Sequence, residues 1–188
     1  MSDVLINVSN RHVHLQAEHL EILFGEGSSL TNIKDLIQPG QFAADETVEL
    51  VGPKRSIPGV RIIGPLRAQT QVEVLAADTF TLGIPIELRD SGDLAGTPGL
   101  KIVGPKGEIE ISEGAIVAAR HLHLHTDEAA ELGYKDKDTV VVKVEGPREV
   151  VFGNVLVRVG DNYKHEMHID VEEANCALLS NGAIGKIV

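Results

Sequence analysis

The sequence is poor in cysteine and in aromatic residues. Among 188 residues there is one cysteine, Cys176, there is no tryptophan, and aromatic residues make up 3%. A single cysteine excludes an intramolecular disulfide and a cysteine-rich zinc finger, and Cys176 is interpreted as a small buried hydrophobic residue. Because valine, isoleucine, leucine and glycine dominate instead, the core is predicted to be aliphatic and rich in β-strands.

Long hydrophobic runs and an excess of basic residues are also missing. No apolar run is long enough to span a membrane, and the start MSDVLINVSN lacks the basic and apolar regions of a signal peptide. We therefore expect a cytoplasmic protein with no membrane partner. The formal net charge of −11 argues against nucleic acid as a partner, because affinity for a phosphate backbone comes from clustered lysine and arginine.

Two histidine pairs are the most informative feature that the sequence does contain. The motif RHVHL carries His12 and His14, and the motif RHLHL carries His121 and His123. In an extended strand, residues two apart face the same side, so each pair can direct two imidazoles at one point. Since neutral imidazole is the commonest metal ligand, the pairs predict metal sites. The alternative is a pair of structural corners whose imidazoles hydrogen-bond to the backbone.

A third segment repeats the pattern that follows each pair. The runs HLQAE, HLHTD and HIDVE, which begin at His14, His123 and His168, each place a histidine and an aliphatic residue before an acid. This order predicts a strand that ends near a histidine and leads into a short capped helix. Helices are expected at about residues 16–25, 126–133 and 171–180, and His168 joins the candidate ligands.

The rest of the chain contains many short strand-like runs. Four of them are followed by a Gly-Pro pair: Thr47–Val51, Val60–Ile63, Leu100–Val103 and Val141–Val144. Apolar and polar residues alternate in several of these runs, as in half-buried strands. Short strands at this spacing are typical of barrels and sandwiches, so the predicted fold is mainly β, with short helices capping it.

A second candidate site lies in the segment GPLRAQTQVEV, which contains Arg67 and Glu73. Arginine binds phosphate with a forked geometry, and glutamate can complete the ligand set of a divalent metal. The alternative is that both are solvated surface residues. The following turn-rich segment, Arg89–Gly99, can offer backbone amides to a ligand but lacks the glycine-lysine spacing of a nucleotide phosphate loop.

Six motifs in order resemble those of one family. SNRHVHL, QPGQFAADETVELVGPK, GPLRAQTQVEV, SGDLAGTPG, AARHLHL and EMHIDVEEAN strongly resemble the PduL-type phosphate acyltransferases, the phosphotransacylases of propanediol utilisation. The resemblance runs from about residue 4 to the end of the chain. It implies reversible transfer of a short acyl group, acetyl or propanoyl, between coenzyme A and inorganic phosphate. It also implies two β-barrel domains capped by short α-helices, with two zinc ions per subunit.

The resemblance carries over to individual ligands. It assigns His12, His14 and Glu73 to one zinc ion, and His121, His123 and His168 to the other. Three protein ligands leave each zinc ion a position for substrate. With the thiol of coenzyme A on one ion, and phosphate held by the other ion and Arg67, the acyl group is expected to pass directly between sulfur and phosphate oxygen, without an acyl-enzyme.

Further residues receive roles from the same resemblance. Arg67 takes the catalytic, phosphate-binding role, and Ser91 and Phe80 match positions that line the coenzyme A groove. His125 and His165 fall outside the ligand pattern and are interpreted as surface residues or as neighbours of the ligands.

The resemblance also predicts a discontinuous domain arrangement. Residues 1–10 and 119–188 are expected to form one β-barrel and residues 11–118 the second, with the active site at the seam. Many family members carry an N-terminal extension that directs them into bacterial microcompartments, whereas this chain starts close to its first strand. A cytoplasmic enzyme outside such compartments is therefore expected.

Two other functions use the same residue types. A di-zinc thioesterase or other hydrolase would activate water and release a free acid without needing phosphate. A non-enzymatic β module stiffened by structural metal would hold each ion with four protein ligands. Acyl chain preference, direction, native metal and oligomeric state stay open, with a homodimer as the candidate assembly.

Overall fold

The computed structural model describes residues 2–188, and this part of the chain divides into two compact units. The first unit combines the N-terminal segment up to Asn10 with Ala119–Val188, and the second is Arg11–Ala118. Within the described residues there are fifteen strands and four short helices. The predicted mainly β fold with short α-helices is confirmed.

The secondary structure begins with β1 of the first unit, continues through the second unit and ends in the first. The strands are β1 (Asp3–Ser9), β2 (His12–His14), β3 (Asn32–Asp35), β4 (Phe42–Val51), β5 (Ser56–Gly64), β6 (Gln71–Glu73), β7 (Leu88–Arg89), β8 (Leu100–Val103), β9 (Glu108–Ile111), β10 (Ala115–Ala118), β11 (His121–Leu124), β12 (Thr139–Val144), β13 (Val150–Val159), β14 (Glu166–Asp170) and β15 (Ala183–Ile187). The helices are α1 (Ala17–Phe24), α2 (Ala76–Leu82), α3 (Thr126–Leu132) and α4 (Val171–Ala177).

The first unit is a closed barrel of six strands in the order β1-β14-β11-β13-β12-β15. Antiparallel pairing of β15 with β1 completes the closure, which removes the exposed strand edges. Its core is aliphatic apart from Phe152 and Met167, as the composition predicts. Strand β12 shows how the sequence encodes it, because Val140, Val142 and Val144 are buried and alternate with more exposed residues.

The second unit is a nine-stranded sheet curled into a half-barrel, in the order β7-β10-β6-β2-β5-β4-β8-β9 with β3 paired to β4. Its buried cluster is again aliphatic, and Leu20 and Leu23 of α1 pack into it. Strand β2 lies in the middle of this sheet, parallel to β5 and antiparallel to β6. The two histidines of β2 are therefore held by strands on both sides.

The two units repeat one topology. The path β10-β6-β2-β5-β4-β8 in the second unit corresponds strand for strand to β1-β14-β11-β13-β12-β15 in the first. In both units the histidine strand is parallel to the neighbour on one side and antiparallel to the neighbour on the other. Each histidine strand leads into a helix, and each antiparallel neighbour leads into a second helix. The HxH repeat in the sequence is thus part of a repeat of the whole unit.

The strand that precedes each histidine strand in the chain belongs to the other unit. Strand β1 comes directly before β2 but pairs with β14 and β15, and β10 comes directly before β11 but pairs with β6 and β7. The chain therefore passes from one unit to the other at Arg11 and again at Ala119, beside the two RHxHL motifs.

The helices match the sequence prediction in three places and differ in one. Helices α1, α3 and α4 fall within the predicted residues 16–25, 126–133 and 171–180. Helix α2 was not predicted, because its N-cap position is Leu75, which offers no side-chain acceptor, and its seven residues include two threonines. The carboxylate of Asp78 supplies the cap instead, by accepting a hydrogen bond from the backbone nitrogen of Leu75 at 3.0 Å.

The interpretation of Cys176 as a buried residue is wrong. Its side chain is exposed, and its thiol donates a hydrogen bond to the carbonyl oxygen of Glu173 at 2.9 Å. Helix α4 buries Ala174 and Ala177, so residue 176 falls on the outer face of a one-sided helix.

Candidate functional site

The first group of candidate ligands is assembled by two neighbouring strands. Strand β2 carries His12 and His14 on one face, and the antiparallel register places His12 opposite Glu73 of β6. The Nε2 atom of His12 lies 3.2 Å from Nε2 of His14 and 3.4 Å from Oε2 of Glu73. Nitrogen and oxygen ligands of a tetrahedral zinc ion are separated by about 3.3 Å when the bonds are about 2.0 Å long. The spacing fits a metal ion at the centre.

Hydrogen bonding and burial prepare these side chains as ligands. Nδ1 of His14 lies 3.0 Å from the carbonyl oxygen of Ile63, so Nδ1 carries the proton and Nε2 presents its lone pair. Burial, with His12 and Arg67 nearby, lowers the pKa of His14 to about 3. Burial alone would raise the pKa of Glu73, but the charge and hydrogen bond of His12, with Arg67 also nearby, hold it well below its usual range. At neutral pH the group therefore holds a neutral imidazole and a carboxylate.

A hydrogen-bond network joins this group to Arg67. The hydroxyl of Ser91 accepts hydrogen bonds from Nη1 of Arg67 at 3.2 Å and from Nε2 of Gln71 at 2.8 Å, and donates one to Oε1 of Glu73 at 3.2 Å. Gln71 also donates to Glu73 at 2.6 Å. One hydroxyl, with its single donor and two acceptor positions used, thereby connects the guanidinium to the carboxylate.

The backbone around the network is equally fixed. The backbone nitrogen of Arg67 donates to the carbonyl oxygen of Leu15 at 2.8 Å, and the backbone nitrogen of Gly92 donates to Oε1 of Gln71 at 2.9 Å. Gly92 has a φ angle of +101°, which favours glycine. The turn-rich segment after β7 is thus held against the ligand strands.

The second group repeats the first in the other unit. Strand β11 carries His121 and His123, and the antiparallel register places His121 opposite His168 of β14. The three ring centroids are 4.7 to 4.9 Å apart, and one ligand atom from each residue lies within 4.8 Å of the other two. Nδ1 of His121 lies 2.9 Å from the carbonyl oxygen of Ala119, which leaves Nε2 to face the group.

One buried ring nitrogen of the second group, Nδ1 of His123, has no hydrogen-bond partner, whereas Nε2 of His168 lies 2.9 Å from Oε2 of Glu166. Unpartnered buried polar atoms are rare and costly in proteins, whereas an imidazole nitrogen that binds a metal ion needs no hydrogen bond. Burial, with His121, His168 and Arg158 nearby, lowers the pKa of His123 to about 2, so its ring is neutral at pH 7. The donor set fits a divalent ion such as zinc.

Each unit also fixes its ligand strands with the same kind of ion pair. Arg11, directly before His12, bonds through Nε to Asp78 of α2 at 2.7 Å. Arg120, directly before His121, bonds through Nε to Glu173 of α4 at 2.8 Å. In both cases the acid is the third helical residue after the strand that carries the third ligand. The arginine of each RHxHL motif thus ties the histidine strand to the neighbouring strand and helix.

The other residues that the sequence singled out lie outside the two ligand groups. Ser91 lies in the network described above, while Phe80 on α2 is 70% exposed and belongs to neither ligand group. His125 is the N-cap of α3, where its Nδ1 accepts a hydrogen bond from the backbone nitrogen of Asp127 at 3.2 Å. Nδ1 of His165 lies 3.9 Å from Glu128.

Sequence reasoning missed Gln71 and Glu166, the residues two positions before the third ligands. Gln71 is 1% exposed and Glu166 is 0% exposed, and they lie opposite His14 and His123 in the strand register. The strand period of two places each on the same face as Glu73 or His168. Aligning the segment at Glu73 with that at His168 would have revealed both, and would also have predicted α2.

Comparisons with known proteins cover the part of the chain that contains both ligand groups. The sequence profile of the phosphate propanoyltransferase family matches residues 5–180. A phosphate propanoyltransferase of Thermotoga maritima is 52% identical over 98% of this chain and 89% of its own length. One of Rhodopseudomonas palustris is 51% identical over 98% of this chain and 81% of its own, and one of Rhodobacter capsulatus is 50% identical over 98% and 86%.

In residues 2–188, none of the helices has the length and hydrophobicity needed to cross a membrane. The family match covers both candidate ligand groups and the Arg67 segment, and the identity to three relatives extends over nearly the whole chain. The chain belongs to the phosphate propanoyltransferase family.

Proposed function

We propose that this chain is a phosphate acyltransferase that moves an acetyl or propanoyl group reversibly between coenzyme A and inorganic phosphate. The proposal rests on the family to which the chain belongs and on the two convergent ligand groups, one in each unit. In the reaction the carbon–sulfur bond of the thioester breaks and a carbon–oxygen bond to phosphate forms. The products are an acyl phosphate and coenzyme A.

We further propose that both groups hold zinc. His12, His14 and Glu73 would hold one ion, and His121, His123 and His168 the other. When bound, zinc supplies Lewis acidity, which favours the thiolate form of a thiol at neutral pH and stabilises negative charge on oxygen. Three protein ligands in each group support an exchangeable position for substrate, in contrast to a structural zinc site.

The chain's own residues contribute a fixed cation. Arg67 is held by its backbone bond to Leu15 and its side-chain bond to Ser91, and its charge acts on His14 and Glu73. A guanidinium held in this way can bind phosphate in its forked geometry and stabilise charge that develops during transfer. The hydroxyl of Ser91 donates to Glu73, whose carboxylate would be engaged by the ion and would therefore be a weak base toward that hydroxyl. This supports the proposal of direct transfer without an acyl-enzyme.

The test is the phosphate dependence of acyl-CoA consumption. Purified protein is mixed with acetyl-CoA or propanoyl-CoA, and free thiol is followed with and without phosphate, before and after treatment with a chelator. We expect thiol release that requires phosphate, produces acyl phosphate, disappears on chelation and returns with zinc. Release of free acid at the same rate without phosphate would instead indicate a hydrolase.

A further inference from the structure

The two ligand groups differ in the residue that stands two positions before the third ligand. In the second unit this residue is Gln71, which lies opposite His14 and donates a hydrogen bond to Glu73 at 2.6 Å. In the first unit it is Glu166, which lies opposite His123, with Oε2 at 2.9 Å from Nε2 of His168. The same position in the repeated topology thus contacts the third ligand in both units.

In each pair, Gln71 with Glu73 and Glu166 with His168, a hydrogen-bond donor faces an acceptor. Where the third ligand is a carboxylate, its partner is an amide that can donate; where the third ligand is an imidazole, its partner is a carboxylate that can accept. A carboxylate that accepts a hydrogen bond from the ring nitrogen not bound to the metal fixes the orientation of the histidine and increases its basicity. For His168 that nitrogen would be Nε2, beside Glu166, which leaves Nδ1 for the ion. Each group then contains one carboxylate, Glu73 in the first and Glu166 in the second, beside the two histidines of the HxH strand.

The burial of Glu166 indicates that an acid at this position has a specific role. Its side chain is 0% exposed, and a fully buried carboxylate is unfavourable unless compensating charge or hydrogen bonds are close. Its carboxylate contacts His168 and lies opposite His123 in the strand register. A glutamine of the same shape is stably buried at the equivalent position of the other unit. Packing alone therefore does not require an acid at residue 166.

We propose that Glu166 is the positioning residue of the second group, His121, His123 and His168. It orients the ring of His168 and supplies the negative charge that Glu73 supplies to the first group. The proposal rests on the proposed function, because it takes the three-histidine group to be a cation site. It assigns Gln71 the corresponding positioning role toward Glu73.

The central experiment compares Glu166→Gln with the wild type in titrations of chelator-treated protein with zinc and with cobalt. We expect affinity at one of two sites to fall by roughly 10- to 100-fold while the other is unchanged, as found when partners of metal ligands are removed. The cobalt absorption band of the affected site should shift. Glu110→Gln, at an exposed position of β9, is the matched control and should bind both ions like the wild type.

Thermal unfolding separates a positioning role from a structural one. Without metal, Glu166→Gln should be as stable as the wild type or more so, because it removes a buried charge. With saturating zinc it should gain less stability than the wild type. A variant that is destabilised without metal and retains both affinities would show that Glu166 serves packing only, and would overturn the inference.

A double variant tests the matching of the two pairs. His168→Glu alone places two carboxylates in contact and should bind the second ion poorly, whereas His168→Glu combined with Glu166→Gln recreates the Gln–Glu pair of the other unit. The double variant should bind the ion of the second group more tightly than His168→Glu does. Equal affinity of the two would contradict the proposed pairing. A wild type that binds no ion at either group would refute the cation sites themselves, an outcome distinct from failure at Glu166.

Discussion

At the scale of single residues, the least expected feature is how little freedom the side chains of the first group have. Ser91, predicted to line the coenzyme A groove, uses its hydroxyl to connect Arg67, Gln71 and Glu73. A residue identified from a motif can thus act by orienting its neighbours. Sequence identifies the residue type, but the direction of its hydrogen bonds depends on strands that are distant in the chain.

Arg67 provides the sharpest test at this scale. If its guanidinium binds phosphate at the reacting centre, Arg67→Ala should lower turnover by about 10²- to 10³-fold, the range for removal of a group that stabilises charge in the transition state. Arg67→Lys keeps the charge without the fork, so it should recover part of the rate with a raised KM for phosphate.

The controls separate that role from support of the metal group. Zinc content should stay normal in both variants, and Arg55→Ala, at an exposed position in the same unit, should leave the kinetics unchanged. Phosphate saturation curves like those of the wild type would remove Arg67 from the site.

Stability should depend on pH through the buried histidines. The folded-state pKa of His14 is about 3 and that of His123 about 2, against 6.5 for the unfolded chain. Between these values the unfolded chain binds protons that the folded chain does not, so stability is complete above pH 6.5 and is lost as the pH falls. Each histidine contributes a loss of about 1.4 kcal/mol per pH unit below 6.5.

The measurement is urea unfolding of chelator-treated protein between pH 7.5 and about 5. The free energy of unfolding of His14→Gln should decline less steeply than that of the wild type below pH 6.5, and the two curves should run parallel above it. Equal slopes in the acidic range would show that His14 is protonated in the folded protein.

At the scale of elements, the sequence predicts what depends on local pattern. The alternation of apolar residues identifies β12, and the HxH spacing places two imidazoles on one face of β2 and of β11. Local patterns do not predict strand register. The pairing of His12 with Glu73 joins residues that are distant in sequence, and no local pattern specifies it, which is why Glu73 entered only as an isolated candidate or through the family resemblance.

Helix α2 is a second element that local sequence patterns do not predict. Its capping carboxylate, Asp78, lies inside the helix and also pairs with Arg11 at 2.7 Å, so its role depends on a strand far away in the chain. Local cap rules look for an acceptor at residue 75 and find leucine.

Asp78→Ala should therefore affect both the helix and the ligand strand. Loss of the cap costs about 1 kcal/mol, and removal of the buried partner of Arg11 raises the total to roughly 2–3 kcal/mol in the free energy of unfolding. Zinc affinity of the first group should fall, because Arg11 positions the strand that begins at His12. Urea unfolding and zinc titration measure the two effects.

Asp127→Ala is the matched control at the first turn of α3. The Asp127 side chain is 88% exposed, so its loss should change stability by less than about 0.5 kcal/mol. A similarly small effect of Asp78→Ala would contradict the coupling between α2 and the histidine strand.

At the scale of the whole molecule, one topology occurs twice with different chemistry. Each unit presents two histidines from one strand and a third ligand from its antiparallel neighbour, but that ligand is Glu73 in one unit and His168 in the other. The repeat supplies two similar groups of candidate ligands, and the exchange of one residue makes them inequivalent. Inequivalent groups suit the proposed reaction between a thioester and phosphate, because ions with different ligand sets differ in their preference for sulfur and for oxygen.

Equivalent substitutions in the two units test whether both groups serve one reaction. His12→Ala and His121→Ala remove the same position of the repeat, so each should reduce bound zinc from two ions to one per chain while leaving the other group filled. If a single reaction needs both groups, each variant should lose nearly all turnover. The double variant should then be little worse than either, because residues that act as a unit are not additive.

The expectation of one active site shared by the two units stays a prediction until that comparison is made. His125→Ala, which removes the N-cap of α3 without touching either group, is the control and should keep both ions and most of the activity. If His121→Ala lost its ion yet kept wild-type turnover, the three-histidine group would be a structural site. The reaction would then belong to the group of His12, His14 and Glu73 alone, with Arg67 beside it.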